Sequence, residues 1–142
     1  MRALLDVNVL IALLDAEHLH HESARVWLRD NIPHGWATCP ITQNGCLRIM
    51  AHPTYPNSLA ASLVARRLHE ATATSHHQFW PDQISLLHPG VVDWNQVIGS
   101  KQITDVYLLA LAVERQGRFV TFDARVSPSV VLGANPQSFV VI

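Results

Sequence analysis

The first hydrophobic pattern in the chain covers residues 3–10, ALLDVNVL, an apolar run with two polar interruptions two residues apart. On a period of two, Leu5, Val7 and Val9 share one face while Leu4, Asp6, Asn8 and Leu10 share the other, which predicts a buried strand. The chain is expected to turn helical around Asn8 and to stay so to about Asp15. A second helix is predicted from His21 to about Arg29, where Ala24, Trp27 and Leu28 form an apolar stripe. Gly35 and Pro40 bracket WATC, a short strand, and Thr42 is the expected cap of a helix that reaches about Met50 before AHPTYPN breaks it. Asn57 is the expected cap of a long helix, SLAASLVARRLHEATA. FWPDQISLLHPG reads as irregular chain with a short strand at Ile84–Leu87, and Val97 and Ile98 are expected in a helical turn before the GSKQ loop.

The strongest helical pattern is TDVYLLALAVERQG, with Thr104 as N-cap, Asp105 in the first turn and Gly117 as the C-terminal stop. RFVTFD then reads as a buried strand ending on Asp123, and SFVVI as a final strand. Strands separated by helices imply an α/β sandwich with a parallel central sheet. At 142 residues, with no repeat and no linker, the chain is read as one domain, 1–142.

Composition changes the picture only in what it excludes. The chain is 49% apolar and 15% charged, as expected of a well-packed globular protein, and no run approaches the ~20 residues of a membrane span. The N-terminal segment imitates a signal peptide, but Asp6 and Asn8 interrupt it and no small-residue cleavage site follows, so a cytoplasmic protein is expected. Cys39 and Cys46 read as reduced, partly buried thiols. A net charge of −1 counts against broad electrostatic capture of nucleic acid, although a local patch remains open. Nine of the ten basic residues are arginine, the better phosphate fork.

Three acids occupy costly positions: Asp6 within an apolar strand, Asp105 at the start of an otherwise apolar helix, and Asp123 at the end of the next strand. In open α/β sheets the carboxyl ends of the strands border the ligand crevice, so the three could converge there. Taken singly, Asp105 has an alternative role on the helix dipole and Asp123 as a turn former, whereas Asp6 buried alone would cost several kcal/mol. Two carboxylates ~6 Å apart at an effective dielectric of ~20 repel by roughly 3 kcal/mol, so a convergent trio needs shifted pKa values or a cation. Hard oxygen ligands select Mg²⁺ or Mn²⁺, and ions in such a cage serve phosphoryl displacement.

LLDVNVLIALL, TDVYLLALAVERQG and FVTFDARV, in this order, resemble the first, third and fourth acidic motifs of PIN domains. GWATCPITQNGCLRIM and HPTYPN resemble the second-motif region of a subgroup of the VapC toxins of bacterial type II toxin–antitoxin pairs, and the likeness covers essentially the whole chain. The resemblance implies a PIN-like three-layer sandwich, a mainly parallel sheet flanked by helices. It also implies a Mg²⁺- or Mn²⁺-dependent endoribonuclease, held silent by a small VapB-like antitoxin and usually homodimeric. By position Asp6 and Asp105 match the principal metal ligands and Asp123 the further acid of the cage, while Asn8 and Thr121 stand where similar proteins keep polar residues that orient ligands or water.

One departure stands out. The second motif normally supplies a glutamate, and here that position is Gln43, or Gly45 in an alternative alignment; no acid lies between Asp30 and Glu70. Gln43 can bind water through its amide oxygen but adds no charge, which supports an alternative reading as a catalytically weakened scaffold that binds RNA or antitoxin. His18, His20 and His21, like His76 and His77, lack the partners of a closed zinc site and read as solvent-facing. Trp27, Trp36, Trp80 and Trp94 read mostly as core or interface, and Arg66–Arg67 as either a phosphate track or a solvated face. A phosphotransferase of the haloacid dehalogenase type is disfavoured. It would want an aspartate where Asn8 stands and a lysine near the late strands, whereas Lys101, the only lysine, precedes the Asp105 helix.

Overall fold

The computed structural model describes all residues, Met1–Ile142. Its elements follow in the order β1 (Ala3–Leu5), α1 (Val7–Leu14), α2 (His21–Asn31), β2 (Trp36–Thr38), α3 (Pro40–Met50), α4 (Ala61–Thr72), β3 (His77–Phe79), α5 (Ile103–Glu114), β4 (Arg118–Thr121) and β5 (Phe139–Val141). The strands form one sheet in the order β3-β2-β1-β4-β5, and every pairing is parallel. All five strands therefore end on the same edge, with β1 at the centre.

Alternation within the strands sorts the core into two layers. Leu4 and Phe119 point into a cluster with α5 residues Val106, Leu109 and Ala110, together with Trp80, Val92, Val126 and Val131 from the long connections. Ala3, Leu5, Trp36 and Val120 point the other way, onto Val9 and Leu10 of α1, Ala24 of α2, Cys46 and Met50 of α3 and Leu68 of α4. Residues Leu108 to Ala112 are all buried, because α5 lies between the sheet and the segments around Val92 and Val131, which also bridge to each other.

Several local expectations shift. The first strand stops at Leu5, and Asp6 caps α1, its carboxylate accepting the Val7 N–H at 2.7 Å. Aspartate competes for such N–H groups well, so the helix begins at Val7, one residue earlier than the turn expected around Asn8. Val9 and Leu10 consequently share one cluster rather than opposite faces. Helix α3 begins at Pro40 with Cys39 as N-cap; Thr42 sits in its first turn and accepts the Cys39 N–H at 3.0 Å. Proline's fixed φ and missing N–H suit that first position. Helix α4 starts at Ala61, not at Asn57, and α5 continues directly from a 3-10 turn, Ser100–Gln102, so Thr104 is not its cap. The turn expected at Val97–Ile98 lies just ahead, at Trp94–Gln96.

No strand forms at Ile84–Leu87, where Leu87 is exposed. The pairing partner of β2 is instead His77–Phe79, a polar edge strand half-exposed or exposed along its length, which carries no apolar signature to find. At the end of α5, Gln116 rather than a glycine takes the left-handed φ of 55°. Gly117 is needed for a different reason: a Cβ there would lie 2.6 Å from the Arg2 carbonyl oxygen and 2.7 Å from Trp80.

Candidate active site

The carboxyl edge of the central strands collects the polar residues. Asp6 follows β1 and is 7% exposed, Thr121 ends β4 and is fully buried, and Asp123 lies two residues beyond it. The Thr121 hydroxyl donates to Asp6 Oδ2 at 2.6 Å and accepts the Asp123 N–H at 3.1 Å, so one side chain braces both acids. Asn8, in the first turn of α1, donates from Nδ2 to Thr121 Oγ1 at 3.4 Å. Its Oδ1 is buried and has no partner. Asp105 arrives from the other layer, in the first turn of α5.

Charge couples these groups. Burial pushes Asp105 up to about 6, the carboxylates of Asp6 and Asp123 push in the same direction, and only Arg125 opposes them. Burial likewise raises Asp6, against the hydrogen bonds from Thr121 and Val7, with the Asp123 charge adding to the rise. Asp123 differs: the Arg125 side chain holds it below the usual carboxylate range, through Nε donating to Oδ2 at 2.8 Å and to Oδ1 at 3.0 Å. As they stand, the three acids do not close into a cage of three ligands around one ion. The donor chemistry nonetheless fits a hard divalent cation. It comprises oxygen ligands only, an Asp105 carboxylate opposed by like charge with no hydrogen bond to offset it, and a buried amide oxygen in want of a donor.

Gln43 is half-buried in α3 and does not bond to any of the three acids. Its Nε2 donates to Thr38 Oγ1 at 2.9 Å, and that hydroxyl lies 2.8 Å from His77 Nε2. Thr38 ends β2 next to the Leu5 register, so Gln43 belongs to the same sheet edge, one strand over from Asp6. The alternative position, Gly45, offers no room for an acid: a Cβ there would lie 2.7 Å from Val7 Cγ2. This glycine allows α3 to close on α1.

Of the histidines expected to face solvent, His20 and His76 are exposed, while His18, His21 and His77 are half-buried, and two members of the first cluster stand beside the site. His18 shares a cavity wall with Asp6 and Asn8, and the His20 ring lies 4.7 Å from that of Phe122, between Thr121 and Asp123. The sequence signal was the cluster itself; its neighbours came from the fold. Thr38 carried no signal beyond a polar residue in a short apolar strand, and His77 none beyond its place beside His76. Of the tryptophans, Trp36 and Trp80 are core, Trp27 packs under Arg118 at 5.1 Å, and Trp94 is exposed. Arg66 and Arg67 are exposed on α4 and make no ion pair.

The sequence matches the PIN domain family over residues 3–127. It is 49% identical over 137 residues to "Ribonuclease VapC44" of Mycobacterium tuberculosis, covering 96% of each chain. It is 40% identical over 134 residues to "Ribonuclease VapC39" of the same organism, covering 94% of this chain and 96% of the relative. Among solved structures, the fold is similar to VapBC2 of Rickettsia felis bound to a DNA fragment from its promoter, with a TM-score of 0.65, 13% identity and coverage of 99% and 97%. It is also similar to VapC20 of Mycobacterium tuberculosis, a toxin that cleaves the sarcin–ricin loop, with a TM-score of 0.61, 13% identity and coverage of 94% and 99%.

Proposed function

The chain belongs to the PIN-domain family and, within it, to the VapC ribonucleases, and from that premise we propose that it is a toxin endoribonuclease whose carboxylates hold Mg²⁺ or Mn²⁺. The observation that carries the reading is the state of Asp105, half-buried without a hydrogen-bond donor and facing the negative charges of Asp6 and Asp123. Such an arrangement is costly for the protein alone and becomes favourable around a divalent cation. The bound cation would supply positive charge to the phosphate oxygens and lower the pKa of a water.

The protein's own residues have distinct tasks. Asp6 and Asp105 would hold the ion, with Asp123 joining when Arg125 releases it. Thr121 fixes the rotamer of Asp6 through the 2.6 Å bond, which keeps one carboxylate oxygen committed and the other turned to the Val7 amide. Asn8 Oδ1, buried and without a partner, is available to orient a water. Arg125 on Asp123 demonstrates that a guanidinium fits this acidic edge, and a VapB-type antitoxin offering an arginine would compete with the cation in the same way.

Induction of the protein alone, followed by mapping of RNA 5′ ends, tests the proposal. Growth arrest with discrete new ends is expected, and Asp6→Asn or Asp105→Asn should abolish both while leaving the folded protein intact. Equal cleavage by folded variants would overturn the assignment. The neutral Gln43, tied to Thr38, favours one second reading: a scaffold that binds RNA or antitoxin with little turnover. RNA binding without new 5′ ends from the unsubstituted protein would select it.

A further inference from the structure

Two cavities adjoin where α3 packs on α1. One, of about 360 Å³, has Asp6, Asn8, His18 and Tyr55 in its wall; the other, of about 350 Å³, has Arg48, His52 and Tyr55. They share Ile49 and Tyr55 in their walls, which sets the two side by side between the buried Asp6 carboxylate and the pair Arg48 and His52, as two stretches of one surface groove parted by the Tyr55 ring. The donors along it are oriented by the fold. The His52 Nδ1 accepts the Thr54 N–H at 3.2 Å, so the neutral ring carries its proton on Nε2. His18 Nδ1 accepts the His20 N–H at 3.0 Å, with the same consequence for its Nε2. The Tyr55 ring between them is anchored by its hydroxyl, which donates to Asp15 Oδ2. Arg48 is exposed and belongs to none of the three ion pairs or two cation–π contacts of the molecule. No acid occurs from Asn31 to His69, so Arg48 has no acidic neighbour in its own segment; Asp15 lies behind the Tyr55 ring, and the far end of the groove is the acidic centre.

Resting on the ribonuclease reading above, we propose that this groove receives the RNA strand flanking the scissile phosphate, with Arg48 and His52 gripping a neighbouring phosphate and Tyr55 stacking on a base. Arginine supplies a fork that fits phosphate, and His52 Nε2–H adds a second donor. An aromatic ring held by its hydroxyl stacks on any base without having to be ordered on binding. These are positioning residues: they set where the strand lies, while the acids do the chemistry. The arrangement also explains how a protein of net charge −1 engages a polyanion, by a local patch placed beside the site.

The test is anisotropy of a fluorescein-labelled single-stranded RNA oligonucleotide in metal-free buffer, where nothing is cleaved, with Arg48→Ala, His52→Ala, Tyr55→Phe and Tyr55→Ala. Arg66→Ala, an exposed arginine on α4, is the control. Arg48→Ala should lower the slope of log affinity against log salt by about 0.7, one phosphate contact on a single strand. Tyr55→Ala should weaken binding by about tenfold, and Tyr55→Phe, which keeps the ring, by much less. With Mn²⁺ present, Arg48→Ala and His52→Ala should raise KM and leave kcat nearly unchanged. If the unsubstituted protein does not bind, if the salt slope survives Arg48→Ala, or if Arg66→Ala does equal damage, the groove is not the RNA path. Normal groove-dependent binding with no cleavage would instead count against the ribonuclease reading alone.

Discussion

At the scale of single residues, burial and two neighbouring carboxylates give Asp105 a pKa of about 6, well above the 3.8 of an unperturbed aspartate. The folded protein therefore holds this proton more tightly than the unfolded chain. Its stability is highest, as far as this group is concerned, below about pH 4, and falls as pH rises through about 6. In metal-free buffer near about pH 7.5, Asp105→Asn should raise stability by about 1–2 kcal/mol, or about 3–8 °C in Tm. A variant that melts with the same pH dependence as the parent would show that Asp105 is not under this strain. Gln43 allows a second test. Thr38 accepts from the Gln43 amide, which leaves its own proton free to point toward His77 Nε2 at 2.8 Å, while burial and the charge of Arg2 hold His77 below the usual histidine range. A carboxylate at position 43 can only accept, so in Gln43→Glu the Thr38 proton turns to it and His77 must donate. The His77 pKa should then rise in an NMR titration. If position 43 also reaches the cation, Mn²⁺ affinity should increase at least tenfold, about 1.4 kcal/mol, in isothermal titration. A His77 shift without tighter Mn²⁺ binding would leave Gln43 outside the ion's reach.

At the scale of elements, two glycines control how closely neighbouring segments approach, and they should respond differently to substitution. Gly45→Ala drives a methyl into Val7 Cγ2, a side-chain end, and overpacking of this kind costs about 1–3 kcal/mol. Trimming the neighbour in a Gly45→Ala, Val7→Ala double variant should recover part of the loss, read as a favourable coupling in denaturant unfolding. Gly117→Ala meets the Arg2 carbonyl, which is backbone and cannot be trimmed, so shortening Trp80 should not restore it. Strictly additive losses at positions 45 and 7 would mean that α1 and α3 do not touch there. The caps are instructive at this scale too. Asp6 was legible as an acid in an apolar run, but its second role as the N-cap of α1 requires knowing that β1 ends at Leu5. One residue thus terminates the strand, starts the helix and holds its carboxylate at the sheet edge.

For the whole molecule, three acids from the end of β1, the first turn of α5 and the turn after β4 bring like charge together across both layers of the fold, and a bound cation would relieve this. A ligand that binds only the folded state adds stability by mass action, about 2.7 kcal/mol at a hundred times its Kd. Mn²⁺ should therefore raise the Tm of the protein, EDTA should reverse the rise, and Asp6→Asn should nearly abolish it. Identical melting in Mn²⁺ and EDTA would remove the acidic edge as a cation site, whatever the outcome of cleavage assays.

What the sequence determined by itself is what local periodicity and local cost can report. The apolar runs at residues 3–10 and 118–122, the unbroken helix after Thr104, and the resulting parallel α/β class all follow from a segment's own burial. So does the choice of Asp6 and Asp105 as candidates, because a carboxylate among apolar neighbours is expensive wherever the chain goes; Asp123 stood out only by its place at the end of a strand, and the fold gives its charge a partner in Arg125. Tertiary structure alone decided what those segments meet. The polar edge strand His77–Phe79 exists because β2 has an open side, not because its residues prefer it. Gln43 pairs with Thr38, His18 reaches the Asp6 cavity, and Arg48 shares a groove with Tyr55 because of strand order and the close approach of α3 to α1. A period of 2.0 or 3.6 records which face of an element is buried, but not which element covers it, and the neighbours of a polar side chain are set by the covering element.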